Sequence, residues 1–229
     1  AVGGENVDAE VPHTAPEEKS TSILGMFKGF GSDKPAATKE IVPIEELVGR
    51  LQEATNAVVD HIEQSADEVS TAEEWVTAKL VRNGLCVAIG DLIRHGFKPS
   101  KVFGPKHIYA VLEVSFLKSS ATGLEAMAIS RCIRSVNENK LLKDNPDSKF
   151  RSLICRLLNE QILHHLFSQL AGAVDKERRN IYEPHGAMVS EATLTDVSKR
   201  LEPLEALKFK LAIDLGVLGK DEDALLATM

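Results

Sequence analysis

The most informative stretch of helical patterning in the chain lies between Lys149 and Leu170. Apolar residues occupy every fourth position there, and three leucines and a phenylalanine fill neighbouring positions. Because a row at this spacing moves about 40° around an α-helix at each step, its apolar face is too wide for one partner helix to cover. The pattern therefore predicts a central helix that several others surround. The row consists of Phe150, Ile154, Leu158, Ile162, Leu166 and Leu170.

Other amphipathic segments precede and follow this central helix. Pro43 opens a first helix that continues to about Ala66, and the capping-box residues Ser70 and Glu73 open a second that ends at His95. Asp147 or Ser148 is predicted to cap the central helix. No segment alternates with a period of two, and no internal repeat is visible, so we predict an all-α fold, a single multi-helix bundle. The remaining predicted segments are 107–117, 124–136, 181–189, 194–201 and 204–218.

The ends of the chain differ in composition from its middle. Residues 1–40 are acidic at first and poor in large apolar residues, which predicts a disordered tail. A short apolar segment within it, residues 21–30, either packs on the domain or serves as a docking motif. We predict a helical domain at residues 41–219 and a C-terminal tail at 220–229. Because the chain begins without a methionine, we expect a fragment of a larger protein.

Composition narrows the class of protein. The 229 residues are 43% hydrophobic, which suits a core of ordinary size, and the net charge of -7 argues against nucleic-acid binding. The three cysteines form no CxxC pair and lie in helical apolar patterns, so we expect reduced thiols and a cytoplasmic protein. No apolar run approaches the roughly 18 residues that a membrane span requires, and no leader pattern opens the chain.

Sequence motifs for catalysis are missing. Glu160 and His164 have the i, i+4 spacing that lets two side chains share a metal ion, but no further ligand accompanies them and a surface ion pair is commoner. Hydrolase, metalloprotease, P-loop and dinucleotide-binding motifs do not occur. We therefore predict that the protein is not an enzyme and has no cofactor and no metal site.

A local excess of positive charge stands out in this acidic chain. No acid occurs between Asp91 and Glu113, whereas four cations and two histidines do. This basic segment has two interpretations. It is a patch that binds either an acidic protein or a phosphoinositide headgroup, or it is a solvated loop whose cations suit the dipole at a helix C-terminus. Arg151 and Arg156 could extend it, although Glu160 offers Arg156 an ion-pair partner. The segment contains Arg94, His95, Lys98, Lys101, Lys106 and His107.

Four sequence blocks, taken in order, resemble the RUN domain family. The first ends in His95, Gly96, Phe97 and Lys98, where the family has His-Gly-Leu-Lys. The second contains the family's Leu-Asn-Glu, and the third its Tyr-Glu-Pro. The resemblance spans roughly residues 41–219. The blocks are LCVAIGDLIRHGFK at 85–98, FRSLICRLLNEQILHHLFSQL at 150–170, YEPHGAM at 182–188 and LEPLEALKFKLAID at 201–214.

The resemblance implies a helical adaptor without catalytic activity that binds small GTPases of the Rab or Rap type in vesicle traffic or cytoskeletal transport. Some members bind kinesin or other motor-linked proteins, so a kinesin light chain or a signalling kinase is an alternative partner. A third hypothesis is a phosphoinositide-binding peripheral membrane module on vesicles or endosomes. The candidate partner-binding residues are Arg50, Arg94, His95, Lys98, Lys101, Lys106, Arg151, Arg156 and Lys208.

Overall fold

Helices form most of the described structure. The computed structural model describes residues 42–65, 71–98, 107–117, 123–142, 145–172 and 176–212. Within these ranges there is no β-strand, only an isolated bridge between Phe97 and Tyr182. The all-α prediction is therefore confirmed. The α-helices are α1 Ile44–Gln64, α2 Thr71–Leu80, α3 Cys86–Arg94, α4 Ile108–Leu117, α5 Leu124–Glu138, α6 Pro146–Asn159, α7 Leu163–Gly172, α8 Lys176–Ile181 and α9 Glu191–Leu201.

The helices pack around one continuous apolar core. α6 contacts α4, α5 and α7, while α7 packs along α9, and α1 lies against α3 and α9. Of the predicted central row, five residues are buried and Ile162 is partly buried. Ile154 is fully buried, as are Leu153 and Leu157 beside it. The prediction that other helices surround this row is thus confirmed.

The central segment is two helices and not one. α6 ends at Asn159 and α7 begins at Leu163. Gln161 has a positive φ of 57°, the Gln161 N–H donates to Leu158 O, and the Ile162 N–H donates to Leu157 O. These two bonds form a Schellman motif, which usually has glycine at the left-handed position. Because this chain has glutamine there, the sequence carries no stop signal.

The start of α6 also differs from the prediction. Asn145 is the N-cap, since its side-chain oxygen accepts a 3.0 Å hydrogen bond from Ser148 N, and Pro146 occupies the first turn. Neither Asp147 nor Ser148 caps the helix. Proline at the first helical position has a preset φ and no N–H to leave unsatisfied. Asn145 and Pro146 therefore fix this helix start together.

α2 and α3 form one helical run that a π-helical turn interrupts. Residues Val81–Leu85 are wound as a π-helix, and α3 follows at Cys86. The predicted second helix is confirmed to Arg94, while Ser70, its predicted cap, lies outside the described residues. Val81 and Leu85 are both fully buried. The wider turn thus lies against the core.

Two sequence blocks that are far apart in the chain meet after α3. Gly96 has a φ of +77°, and a β-carbon there would clash with the Cα of Gly186. Lys98 N donates to Ile181 O at 2.9 Å, and Glu183 N donates to Gly96 O at 2.7 Å. Because both backbones approach so closely, only glycine fits at position 96. We call this contact the 96/186 junction.

The end of the described chain runs in an extended conformation. A short 3-10 helix, Glu202–Ala206, follows α9, and residues 207–212 are neither helix nor strand. The Asn159 side chain donates to Leu211 O and accepts from Leu211 N, both at 2.9 Å. The predicted helical segment 204–218 is therefore wrong for residues 207–212, while residues 204–206 belong to the 3-10 helix. Residues 1–40, with the apolar segment 21–30, and the tail 220–229 lie outside the described residues, and the domain limits 41 and 219 stay predictions.

We predict that Gly96→Ala lowers the free energy of unfolding by about 3 kcal/mol, because it adds both a left-handed alanine and a clash with backbone. Urea denaturation measures the change. Gly49→Ala is the matched control, since Gly49 lies inside α1 with no atom within 4 Å of the added carbon. It should stabilise the protein by about 0.5–1 kcal/mol. Equal effects of the two variants would contradict the role of the junction.

Candidate partner-binding surfaces

Four charged side chains from three elements gather at the start of α6. The Nε2 of His107 lies 2.9 Å from the Oδ1 of Asp147, and Arg94 NH2 lies 3.9 Å from the same oxygen. The hydrogen bond with His107 holds the pKa of Asp147 below its usual range, although burial acts in the opposite direction. The charges of His107, Arg151 and Arg94 lower this pKa further. We call these residues, Arg94, His107, Asp147 and Arg151, the Arg94 cluster.

The Arg94 cluster joins parts of the predicted basic patch. It brings Arg94 and Arg151 together, although they lie on different helices, as the sequence interpretation proposed. Asp147 and Asp91 offset the charges of the two arginines, since Arg94 NH1 also lies 3.5 Å from Asp91. The cluster therefore carries little net charge, and the Arg94 side chain is half-exposed.

Lys98 and His95 belong to the 96/186 junction. The ammonium group of Lys98 donates a 2.8 Å hydrogen bond to the carbonyl of Arg179, near the end of α8. The Nδ1 of His95 accepts a 3.2 Å hydrogen bond from Ala187 N. Burial lowers the pKa of His95, and the nearby His185 lowers it further. Both side chains thus have structural partners, which the sequence could not show.

The remaining predicted contact residues are dispersed. Arg50 is exposed on α1 and pairs with Glu46 at 2.6 Å. Lys208 is exposed in the extended segment 207–212 and not on a last long helix, as the sequence interpretation placed it. Lys101 and Lys106 lie outside the described residues. The structure thus unites Arg94 with Arg151 only.

Arg156 lies partly buried beside a cavity of about 60 Å³ between α5, α6 and the extended segment. Burial raises the pKa of the Cys132 thiol, and Arg156 lowers it through its charge and a hydrogen bond. Glu160 is not its partner, because the Glu160 carboxylate lies 3.9 Å from Arg131 instead. Cys86, Cys132 and Cys155 are all buried, and none of the three forms a disulfide.

A second exposed surface lies on α5 and was missed from the sequence. Leu124 is 83% exposed and Met127 is 66% exposed, while Arg131 and Arg134 continue the same stripe at helical spacing. The buried face of this helix carries Ala126, Ile129, Cys132, Ile133 and Val136. The sequence did carry a signal for this surface, because Leu124 and Met127 do not fall on the helix face that the buried residues share. We call Leu124, Met127, Arg131 and Arg134 the α5 face.

The predicted pair Glu160 and His164 does not share a helix face, because the break at residues 160–162 separates them. The Nε2 of His164 lies 3.5 Å from Glu205, and its ring centroid is 3.9 Å from that of His165. Burial lowers the pKa of His164, with a further contribution from His165, while Glu205 and Glu202 act in the opposite direction. These histidines and Glu205 are the described residues that could hold a metal ion.

We predict that Asp147→Asn lowers the free energy of unfolding at neutral pH by about 0.5 kcal/mol, since the pair is exposed and screened. The folded pKa lies below the ordinary value of 3.8, so the stabilisation is present above that pH and is lost as the pH falls through the folded pKa. The difference from the wild type should therefore shrink below about pH 4. Urea midpoints across this range provide the test.

The control for this measurement is Asp60→Asn, which removes an exposed carboxylate from α1. It should change the free energy of unfolding much less. A wild-type advantage over Asp147→Asn that persists unchanged into acid would contradict a stabilising role of the ionised carboxylate.

The comparisons with known proteins identify the fold family. In the described ranges, no helix has both the length and the apolar character to span a membrane. A comparison with curated proteins finds no match. The family model of the RUN domain matches residues 84–215, more than half of the chain. RUN domains are non-catalytic protein-interaction modules linked to small GTPase signalling. The chain belongs to the RUN domain family.

Proposed function

We propose that this chain is an adaptor or effector module that binds a small GTPase of the Rab or Rap type in vesicle traffic or cytoskeletal transport. The family match over residues 84–215 is the observation that carries the proposal. The matched range includes α3 to α9 and most of the core. It also includes both candidate surfaces, which face solvent on a rigid scaffold.

We assign the main contact to the α5 face. Leu124 and Met127 expose large apolar side chains that no described residue covers, and burying them would favour association. Arg131 and Arg134 follow them along the helix and can donate to carboxylates. Protein interfaces commonly combine apolar anchors with arginine in this way. This face therefore suits a partner surface that is apolar at its centre and acidic at one side.

A rigid helix face can report the nucleotide state of a GTPase. The switch segments of a GTPase are ordered by the γ-phosphate and are released after hydrolysis. The opposite side of α5 is anchored in the core by Ile129 and Ile133, both fully buried. A fixed surface of this kind binds an ordered switch without a cost for its own ordering. Binding should therefore depend on GTP.

The Arg94 cluster has a supporting role in this proposal. The half-exposed guanidinium of Arg94 lies beside Asp91 and Asp147 and can attract a carboxylate of an acidic partner during approach. Exposed charges of this kind change association rates and salt dependence more than final affinity. The cluster thus adds steering to the contact on the α5 face.

We place the protein in the cytoplasm, on vesicles or endosomes through its GTPase partner. The three buried cysteines, none of which forms a disulfide, agree with a reducing compartment. Direct phosphoinositide binding is less well supported, since the ammonium group of Lys98 already donates a hydrogen bond to Arg179 O. A kinesin light chain or a signalling kinase is an alternative partner that the binding experiments distinguish.

We predict that the immobilised chain retains GTP-loaded and not GDP-loaded protein from a panel of purified Rab and Rap GTPases, with at least a tenfold difference in affinity. The physical reason is the ordered switch of the GTP form. Surface plasmon resonance gives the affinities. A kinesin light chain and phosphoinositide liposomes are included as separate samples. Binding to either of these, with no GTPase retained, would overturn the proposal.

We predict that Met127→Glu and Arg131→Glu each weaken GTPase binding at least tenfold, because one places a charge in the apolar contact and the other repels an acidic partner. Arg50→Glu is the matched control, an exposed arginine on α1, and should change the affinity less than twofold. Thermal unfolding checks that all three variants fold. A large loss with Arg94→Glu and none with Arg131→Glu would place the contact at the Arg94 cluster instead.

A further inference from the structure

Two histidines and one glutamate meet where α7 begins. His164 and His165 lie in the first turn of α7, and Glu205 comes from the 3-10 helix that follows α9. One ligand atom from each of the three residues lies within 4.8 Å of the other two. Imidazole nitrogen and carboxylate oxygen are the ligands that bind Zn²⁺ in proteins.

The separation of the ligand atoms is close to that of a metal site. Zinc bonds of about 2.1 Å in a tetrahedral arrangement place two ligand atoms roughly 3.4 Å apart. The Nε2 of His164 and the Oε2 of Glu205 are already 3.5 Å apart. The third ligand, from His165, needs only a side-chain rotation, since the two rings are 3.9 Å apart.

Hydrogen bonds hold the backbone on both sides of this cluster. Ser198 Oγ on α9 donates to His164 O at 2.9 Å. Gln161 Nε2 donates to Glu205 O at 2.7 Å and to Leu207 O at 3.1 Å. A site on a fixed backbone loses little conformational freedom when it binds an ion. The left-handed Gln161 at the helix break therefore also positions the 3-10 helix that carries Glu205.

The cluster is open to solvent on one side. The Glu205 side chain is 54% exposed, whereas His164 is 10% exposed and lies against the core. An ion can enter from the side of Glu205 and reach the histidine below it. The fourth position then remains available to water.

We propose that His164, His165 and Glu205 form a binding site for Zn²⁺ or a similar divalent transition metal. Two nitrogen ligands disfavour Mg²⁺ and Ca²⁺, which take oxygen ligands. A bound ion would cross-link the start of α7 to the 3-10 helix and so hold the extended segment 207–212 in place. The site is structural in this proposal and independent of GTPase binding.

We predict saturable binding of one Zn²⁺ by isothermal titration calorimetry on the whole chain after treatment with EDTA. Excess zinc should raise the melting temperature by about 5 °C at a hundredfold excess over Kd. Co²⁺ should give the intense visible absorption of a four- or five-coordinate site. Glu205→Gln and His164→Ala should each weaken binding at least tenfold.

His61→Ala is the control, since His61 lies on α1 and does not belong to this cluster, and it should bind zinc as the wild type does. If His164→Ala fails to fold, Glu205→Gln decides the outcome, because Glu205 is exposed and its loss leaves the core intact. Binding weaker than about 1 mM, or equal affinities of Glu205→Gln and the wild type, would overturn the proposal.

Discussion

The close approach of Gly96 to Gly186 is the contact on which the rest of the fold depends. It lets the chain after α3 lie directly on the chain before α9, with backbone hydrogen bonds on both sides. Tyr182, almost fully buried there, donates its hydroxyl to Ile93 O at 2.8 Å. A buried phenol is stabilised only when its hydroxyl finds a partner, so the tyrosine and the two glycines form one unit.

A second long-range contact completes the core at the other end of the matched region. The amide of Asn159 pairs with both backbone groups of Leu211, as a neighbouring strand would. Phe209 and Leu211 are thereby buried while Lys208 and Lys210 face solvent. The sequence blocks of the family thus contact one another in the folded structure, the first with the third and the second with the fourth. They define the scaffold, whereas partner choice depends on exposed residues that the scaffold leaves free to vary.

Sequence patterning predicted the helices well and the contacts between them poorly. The buried row through Ile154 follows from spacing alone, because periodicity reports which face meets the core. The break at Gln161 was missed, since its left-handed turn lacks the usual glycine. Lys98 was predicted to bind a partner, but its acceptor lies 81 residues away and no local pattern marks it. Likewise, Glu205 approaches His164 only through tertiary packing, whereas the α5 face could have been found from the positions of Leu124 and Met127 outside the buried set of that helix.

The π-helical turn at Val81–Leu85 has a consequence for how related chains would align with this one. A π turn accommodates one more residue than an α turn, so it takes up that residue without rotating α2 relative to α3. Removing one residue there would return the run to uniform α winding and leave Trp75 facing nearly the same direction about the axis, because the π turn has already absorbed the extra residue. A one-residue gap at this turn in an alignment would thus indicate that the related chain has an α turn where this chain has a π turn. The lengths of the flanking loops would be the same in both chains.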